Sequence, residues 1–219
     1  MTIKCISPID GSIYAERPTL SRSDADAAVT RAKIAQKKWN MHPIKERIEL
    51  VKAGVAAIGA MNAEIVPEIA WQMGRPIRYG GEFGGFNERA SYMADIAIDA
   101  LAPIEIENSD NFRRVIKRVP HGLVLVLAPW NYPFMTAINT IAPALIAGNA
   151  VMLKHASQTP LVGERLAKAF HSVGIPRDIF QNVFLDHDTT SALISDRAFD
   201  FINFTGSVSG GVAMEKAAA

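Results

Sequence analysis

The sequence predicts an α/β protein, with a doubly wound parallel sheet preceded by a mainly helical N-terminal region. Apolar residues recur at helical spacing through most of the first 108 positions. From residue 121 onward, short segments that are apolar on both faces alternate with helical segments, which is typical of a parallel sheet covered on both sides. We therefore divide the 219 residues into a helical region (1–110), an extended strand of the kind that can mediate oligomer contacts (111–120) and an α/β domain (121–219).

The helical region is predicted to contain four helices. Ser23 and Asp24 are expected to cap the first helix, which runs toward Trp39. The other three are predicted at Ile44–Ile58, Ala63–Met73 and Asn87–Leu101. The segment Tyr79–Phe86 is rich in glycine, but it lacks the Lys-Ser/Thr pair of a phosphate loop and follows no predicted strand. We expect a turn or a close contact between helices there.

The α/β domain is predicted from four strands and the helices that follow them. The strands are expected at Leu123–Leu127, Ala150–Leu153, Gln181–Leu185 and Phe199–Asn203, and the helices at Phe134–Ala147, Leu161–Ser172, Thr189–Ile194 and from Val208 onward. Before this domain, Phe112–Val119 alternates apolar and basic residues as a two-faced strand does. Its charged face is either a solvent-exposed edge or an oligomer contact.

Composition and charge argue against several classes of function. The 23 basic and 22 acidic residues leave a net charge of +1, which does not favour binding to nucleic acid or to an anionic membrane. A single cysteine, Cys5, excludes an intramolecular disulfide and a cysteine-cluster metal site. The five histidines are scattered, so we assign no metal site. With no signal-like apolar segment at the start, we expect a cytoplasmic protein.

Polar side chains follow three of the predicted strands at the point where each strand ends. These clusters are Ala128–Pro133, Lys154–Ser157 and Phe204–Ser207. Each has an ordinary structural interpretation: a rigid turn, a solvent-exposed lysine and a helix N-cap. Because ligands of parallel sheets bind beyond the carboxyl ends of the strands, the three together favour a ligand site. Ser207 begins a helix whose free N–H groups suit a phosphate. Gly206 lets the backbone approach closely, and Gly211 lets this helix pack near its neighbour.

The order of four motifs resembles the NAD(P)-dependent aldehyde dehydrogenase superfamily. The motifs are Leu127–Pro133, Ala144–Ala150, Lys154 through Pro160, and Phe204–Ser207 with Gly211. The upstream helices and Gln72–Pro76 are similar to the N-terminal part of that family. The resemblance covers the whole chain, which looks like the first portion of a family member, less than half of it. It implies a Rossmann-like fold of the family's type, with a cofactor-binding domain at 121–219.

The resemblance implies roles for individual residues. Asn131 looks like the asparagine that donates to the aldehyde oxygen as it becomes anionic. Lys154 looks like the lysine that binds the adenosine ribose or its 2′-phosphate, and Ser207 like the serine at the pyrophosphate. The other expected cofactor-binding residues are Ala128, Pro129, Trp130, Ser157, Gly206 and Gly211.

The reaction that the resemblance implies is oxidation of an aldehyde to a carboxylate. A cysteine thiolate attacks the aldehyde, hydride passes to the nicotinamide, and a water molecule activated by a glutamate hydrolyses the thioester. Family members carry that cysteine and glutamate beyond the helix that begins at Ser207, and the surroundings of Cys5 do not match the nucleophile motif. We therefore expect this chain alone to be inactive. The whole protein is expected to form a homodimer or a homotetramer.

Three departures from the family pattern refine this interpretation. His155 replaces a common proline and is similar to a branch that includes succinate-semialdehyde-type enzymes. Ser157 replaces a glutamate that NAD-preferring members often carry, which favours NADP over NAD because a carboxylate would repel a 2′-phosphate. Leu185–Asp188 replaces a glycine-rich loop.

Two alternatives remain at this stage. The first is a non-catalytic nucleotide-binding or assembly module of the same fold. The second is an acyl-phosphate or acyl-thioester reductase, against which the segment Pro129–Asn131 argues.

Overall fold

The computed structural model describes residues 1–106 and 111–219, so the domain boundary expected at residue 110 lies outside the described residues. The strands are β1 (Thr2–Ile6), β2 (Ile13–Pro18), β3 (Ile104–Glu105), β4 (Val115–Ile116), β5 (Leu123–Ala128), β6 (Ala150–His155), β7 (Phe180–Asn182) and β8 (Phe201–Phe204). The helices are α1 (Arg22–Trp39), α2 (Ile44–Ala60), α3 (Asn62–Met73), α4 (Phe83–Leu101), α5 (Pro133–Ile146), α6 (Pro160–Ser172), α7 (His187–Ser195) and α8 (Val208–Ala218).

The expected doubly wound parallel sheet is confirmed. Four strands pair in parallel in the order β7-β6-β5-β8, with helices between successive strands. The central strand β5 is buried along its whole length, as the apolar pattern predicts. The edge strand β8 differs, because 45% of the Phe201 side chain is exposed, and it is therefore not covered on both faces as expected.

The N-terminal region contributes four helices and a hairpin, of which α1 packs directly on β5 and β6 while α2 and α4 pack on α5. Strands β1 and β2 form the antiparallel hairpin. The helix α1 begins earlier than predicted, because Ser21 rather than Ser23 or Asp24 supplies the cap: its Oγ accepts from the Asp24 N–H at 3.1 Å. The helix α3 ends as expected at Gly74, which has a positive φ of 78°.

The glycine-rich segment forms the start of a helix and a close contact between helices. Helix α4 begins at Phe83 rather than at Asn87, so Gly84 and Gly85 lie in its first turn. A Cβ at Gly85 would lie 2.7 Å from the Met135 Sδ on α5, which is closer than van der Waals contact allows. The predicted contact between helices is therefore confirmed at this position.

The strand expected over Phe112–Val119 is wrong in length. Only Val115 and Ile116 form a regular strand, β4, which pairs antiparallel with β3. The alternating pattern predicts a strand with one covered face, but most of this segment is exposed, including Phe112 and Val119. With only the two residues of β3 to pair with, the ladder ends early.

One hydrophobic core joins the N-terminal helices to the sheet, and α5 contacts both α2 and α4 on one side and β5 and β6 on the other. Side chains of α1 and α2 satisfy the carbonyl groups at the C-terminal end of α5. Trp39 Nε1 donates to the Leu145 carbonyl at 3.0 Å, and the buried Arg47 donates through Nε to the Ile146 carbonyl at 2.8 Å. A helix end in a protein interior needs such partners, so α1 and α2 fix the position of α5.

Among the described residues, no single helix is long and apolar enough to cross a membrane. Helices α2 and α3, bent by 70°, meet the length and composition test only as a pair.

Candidate functional site

A cleft of about 710 Å³ opens at the carboxyl ends of the parallel strands. The strand ends are level, because Ala128 at the end of β5 pairs with His155 of β6, and Leu127 pairs with Phe204 of β8. The cleft is lined by the loops that follow these three strands and by the first turns of α7 and α8. This is the edge at which the sequence predicts a ligand site.

The structure brings most of the predicted site residues together around this cleft. The seven that line it are Ala128, Pro129, Trp130, Asn131, Lys154, Gly206 and Ser207. Ser157 and Gly211 are not among the lining residues; Ser157 is exposed two residues beyond the end of β6. The convergence of the three predicted clusters on one rim is therefore observed.

The loop between β5 and α5 presents Asn131 at the mouth of the cleft. The Asn131 Oδ1 accepts from the N–H of Tyr132 at 3.1 Å. In the described part of the chain, the Asn131 Nδ2 has no hydrogen-bond partner, so this amide group remains available as a donor. Pro133 occupies the first turn of α5, where its fixed φ suits the helix and its missing N–H is not needed.

The N-terminus of α8 forms the opposite side of the cleft. Ser207 caps this helix, because its Oγ accepts from the Gly210 N–H at 3.1 Å. The N–H groups of Val208 and Ser209 have no partner within the helix, as helix geometry requires. They and the positive end of the helix dipole favour an anion at this position.

Close packing at α8 depends on Gly206 and Gly210 rather than on Gly211. A Cβ at Gly206 or Gly210 would lie 2.7 or 2.6 Å from the Cζ of Phe204. At Gly211 it would lie 3.7 Å from that ring, an ordinary contact distance. The expectation that Gly211 permits close helix packing is therefore corrected. The Phe204 ring, at the end of β8, packs against Gly206 and Gly210 instead.

Lys154 supplies a cation on the sheet side of the cleft. Burial lowers the pKa of its ammonium group, and the nearby Asp186 carboxylate acts in the opposite direction. Asp186 itself caps α7, accepting from the Thr189 N–H at 2.7 Å. Within the described residues, the Lys154 Nζ makes no hydrogen bond or ion pair, so it is free to bind a ligand.

A second cavity, of about 740 Å³, lies where α1 and α6 meet the edge strand β7. It is lined largely by charged side chains, including Arg31, Lys168 and Arg177. None of the predicted site residues lines this cavity.

Comparison with known proteins identifies the family. A sequence model described as "Aldehyde dehydrogenase family" matches residues 1–219. The chain belongs to the aldehyde dehydrogenase family.

Relatives of known name and structure agree with this assignment. An N-succinylglutamate 5-semialdehyde dehydrogenase of Sphingopyxis alaskensis is 32% identical over 198 residues, covering 89% of this chain and 40% of the relative. A D-glyceraldehyde dehydrogenase (NADP(+)) of Picrophilus torridus is 30% identical over 220 residues, covering 99% of this chain and 44% of the relative. The crystal structure of an NADP-dependent glyceraldehyde-3-phosphate dehydrogenase from Bacillus halodurans C-125, complexed with NADP, matches with a TM-score of 0.92 and 29% identity over 100% of this chain and 48% of that one. The chain thus spans less than half the length of these family members.

His155, at the end of β6, is buried and contacts the end of the Asn131 loop at Pro133. Its Nε2 donates to the Pro133 carbonyl at 3.3 Å, and its Nδ1 accepts from the Thr159 hydroxyl at 3.0 Å. The carbonyl can only accept, so Nε2 carries a proton, and burial disfavours the second proton that would charge the ring. Burial accordingly lowers the pKa of His155 to about 4.

Sequence reasoning missed several residues that line the cleft of this aldehyde dehydrogenase family member. His187, at the start of α7, would have been found by extending the strand-end argument to the third strand. Thr190 and Met214 could not have been found in this way, because they lie within helices, where only the helical phase and the tilt of the helix decide which side chains face a cleft.

We expect the free energy of unfolding to depend on the protonation of His155. A histidine whose pKa is lowered from 6.5 to about 4 by folding gives stability that is fully present above pH 6.5 and is lost as the pH falls toward 4. The shift corresponds to about 3 kcal/mol. In urea titrations between pH 7 and 4, the His155→Gln variant should therefore lose less stability than the parent, whereas His187→Gln, at an exposed position in the same cleft, should follow the parent. Parallel pH profiles of parent and His155→Gln would contradict this assignment.

Proposed function

We propose that this chain forms the cofactor-binding part of an NAD(P)-dependent aldehyde dehydrogenase that oxidises an aldehyde to a carboxylate. The observation that supports this most strongly is the meeting of Asn131, Lys154 and Ser207 on one cleft at the carboxyl edge of the sheet. Each of these residues has an ordinary structural interpretation alone. Together they provide a neutral hydrogen-bond donor, a cation and a helix N-terminus around one space.

The donor set of the cleft fits a dinucleotide. The N-terminus of α8 offers unpaired N–H groups to a pyrophosphate, next to the capping Ser207. The ammonium group of Lys154 has no protein partner in the described residues and suits a ribose hydroxyl or a 2′-phosphate. Apolar surface from Pro129, Trp130 and Met214 suits the planar rings of the ligand. When bound, the nicotinamide supplies the acceptor for a hydride from the substrate.

Asn131 is the residue of this chain that we propose to act in the chemical step. Its unpaired Nδ2 would donate to the aldehyde oxygen as negative charge develops there. Such a donor, held in place before the reaction, typically lowers the barrier by about 2.7–4 kcal/mol.

We further propose that the cleft accepts NADP. Ser157, after the end of β6, puts no carboxylate beside Lys154, so a 2′-phosphate meets no repulsion from that position. Two of the relatives, from Picrophilus torridus and Bacillus halodurans, are named as NADP-dependent. The Asp186 carboxylate attracts the same ammonium group and weakens this preference.

Calorimetric titration of the 219-residue chain with NADP and NAD tests the proposed cofactor site. Lys154→Ala should weaken NADP binding about tenfold to a hundredfold, because a hydrogen bond between charged groups is lost. It should weaken NAD binding less, because only neutral hydroxyl groups remain as partners. Lys168→Ala, at an exposed lysine of α6, is the control and should change neither affinity. Equal losses of NADP affinity in Lys154→Ala and Lys168→Ala would refute the site. NAD binding more than about tenfold tighter than NADP binding would refute the preference for NADP.

Catalysis by this chain alone would need a nucleophile that its single cysteine does not provide. Cys5 is fully buried, does not line the cleft and donates through Sγ to the Gln158 carbonyl at 3.0 Å. Burial raises the pKa of its thiol, which disfavours the reactive thiolate. We therefore propose that the catalytic cysteine and glutamate belong to a part of the protein outside these residues.

The expected result is that the purified 219-residue chain binds cofactor but does not reduce it when given an aldehyde. The assay measures reduced cofactor over time with several aldehydes, using Cys5→Ser as the matched variant. Turnover that Cys5→Ser abolishes would assign catalysis to Cys5 and contradict the proposal. Turnover that survives in Cys5→Ser would contradict it as well, because the chain has no other thiol.

A further inference from the structure

A buried carboxylate lies behind the loop that carries Asn131. The Glu82 side chain is only 3% exposed and accepts two hydrogen bonds. Its Oε1 accepts from the Arg75 Nη1 at 2.7 Å, and its Oε2 accepts from the Met135 N–H at 2.8 Å. Burial raises the pKa of this carboxyl, while both hydrogen bonds favour the charged form.

Through the Met135 N–H, Glu82 caps α5 from a distant part of the chain. Met135 is the third residue of α5, and its N–H is one of the groups at a helix N-terminus that lack a partner within the helix. The residue before α5, Tyr132, provides no side-chain cap. A carboxylate at this end also interacts favourably with the helix dipole. Glu82 therefore does what a local Ser or Asp does at other helices.

Arg75 connects this carboxylate to the loop itself. Its Nη2 donates to the Asn131 carbonyl at 2.8 Å, and its guanidinium group lies 5.2 Å from the centre of the Tyr132 ring. Only 13% of the Arg75 side chain is exposed, so solvent weakly screens its ion pair with Glu82, whereas its contacts with Asn131 and Tyr132 lie on the exposed side of the group. One planar cation thus contacts both the carbonyl of the peptide bond between Asn131 and Tyr132 and the side-chain ring of Tyr132.

The glycine-rich segment makes this arrangement possible. Gly85 lies three residues after Glu82 in the first turn of α4, and its missing side chain lets α4 approach Met135 of α5. This close approach brings the start of α4 within hydrogen-bonding distance of the N-terminus of α5. The segment therefore contributes to the site through a contact between helices.

We propose that Glu82 and Arg75 are positioning residues that hold the loop Pro129–Pro133 so that the Asn131 Nδ2 faces the cleft. The orientation of the Asn131 carboxamide depends on the loop backbone, because Oδ1 is bound by the next N–H of the chain. Fixing the Asn131 carbonyl and the start of α5 fixes that backbone on both sides. This inference rests on the proposed function only for the role of Asn131.

Amide hydrogen exchange and side-chain NMR signals of the 219-residue chain test the proposal. In Glu82→Gln, the new NH₂ group faces a donor whichever way it turns, so one of the two hydrogen bonds must be lost. If the bond to the Met135 N–H is lost, exchange at that amide should accelerate at least about tenfold, the effect expected when a hydrogen bond to a charged group is lost. If the bond to Arg75 is lost, exchange should accelerate at the Tyr132 amide, in the loop that Arg75 contacts. The Asn131 side-chain amide signals, assigned with Asn131→Asp, should shift or broaden.

Two variants of Arg75 separate the two contacts, and a second arginine provides the control. Arg75→Met should accelerate exchange at both the Met135 and the Tyr132 amides. Arg75→Lys keeps the charge that pairs with Glu82 but has no planar fork. It should therefore leave exchange at the Met135 amide slow and still shift the Asn131 signals. The control Arg165→Met removes an arginine of similar exposure (18%) that pairs with Glu68 on α3, away from the loop. It should lower overall stability without changing the Asn131 signals.

Two results would overturn the proposal: unchanged Asn131 signals in Glu82→Gln and both Arg75 variants, or acceleration of exchange by the same factor throughout α5 and α6. The second result would mean a purely global loss of stability. Titration of the parent chain with NADP and NAD is done in parallel. A parent that binds neither cofactor would refute the proposed function, while the exchange data would still decide whether Glu82 and Arg75 hold the loop.

Discussion

The architecture depends on how α5 is held at both of its ends. Its first turn donates a hydrogen bond from the Met135 N–H to the buried Glu82 carboxylate, and its last carbonyl groups accept from Trp39 and Arg47. All three partners come from the N-terminal helical region, more than 50 residues upstream. Unsatisfied helix ends in a protein interior cost free energy, so these contacts join the helical region to the sheet at one helix.

This constraint explains why the cleft has a defined shape. The loop between β5 and α5 is anchored to a buried strand on one side and to a capped helix on the other, so few conformations remain for Asn131. The neutral His155 supports the same loop from the end of β6 through the Pro133 carbonyl. Site geometry is thus set by groups that contact no ligand, as expected where a donor must be held in place before the reaction.

Much of the fold and part of the site could be predicted from the sequence. The strands apolar on both faces predicted the parallel sheet, and the strand-end argument placed Asn131, Lys154 and Ser207 on one rim, because both rest on local periodicity and on a general property of parallel sheets. The strand expected over Phe112–Val119 was predicted too long, because alternation shows that a strand is possible but does not provide a partner.

The contacts that hold the site could not be predicted from the sequence. Glu82 and Met135 lie 53 residues apart, and nothing in either local pattern relates a carboxylate at the start of one helix to the N-terminus of another. Gly210 was missed in favour of its neighbour, because the direction of the Phe204 ring decides which glycine is needed. Such features follow from the packing of helices against one another, which becomes evident only in three dimensions.

Chemical-shift mapping of bound NADP on the isotope-labelled chain tests the central claim most directly. The account predicts that the largest shifts fall on the Trp130 indole, the Asn131 side-chain amide and the backbone amides of the first turn of α8. The second cavity, lined by Arg31, Lys168 and Arg177 but also by Glu164 and Asp178, has a similar volume and is the physical alternative for the ligand. Shifts concentrated there, with the rim of the sheet unaffected, would contradict the account.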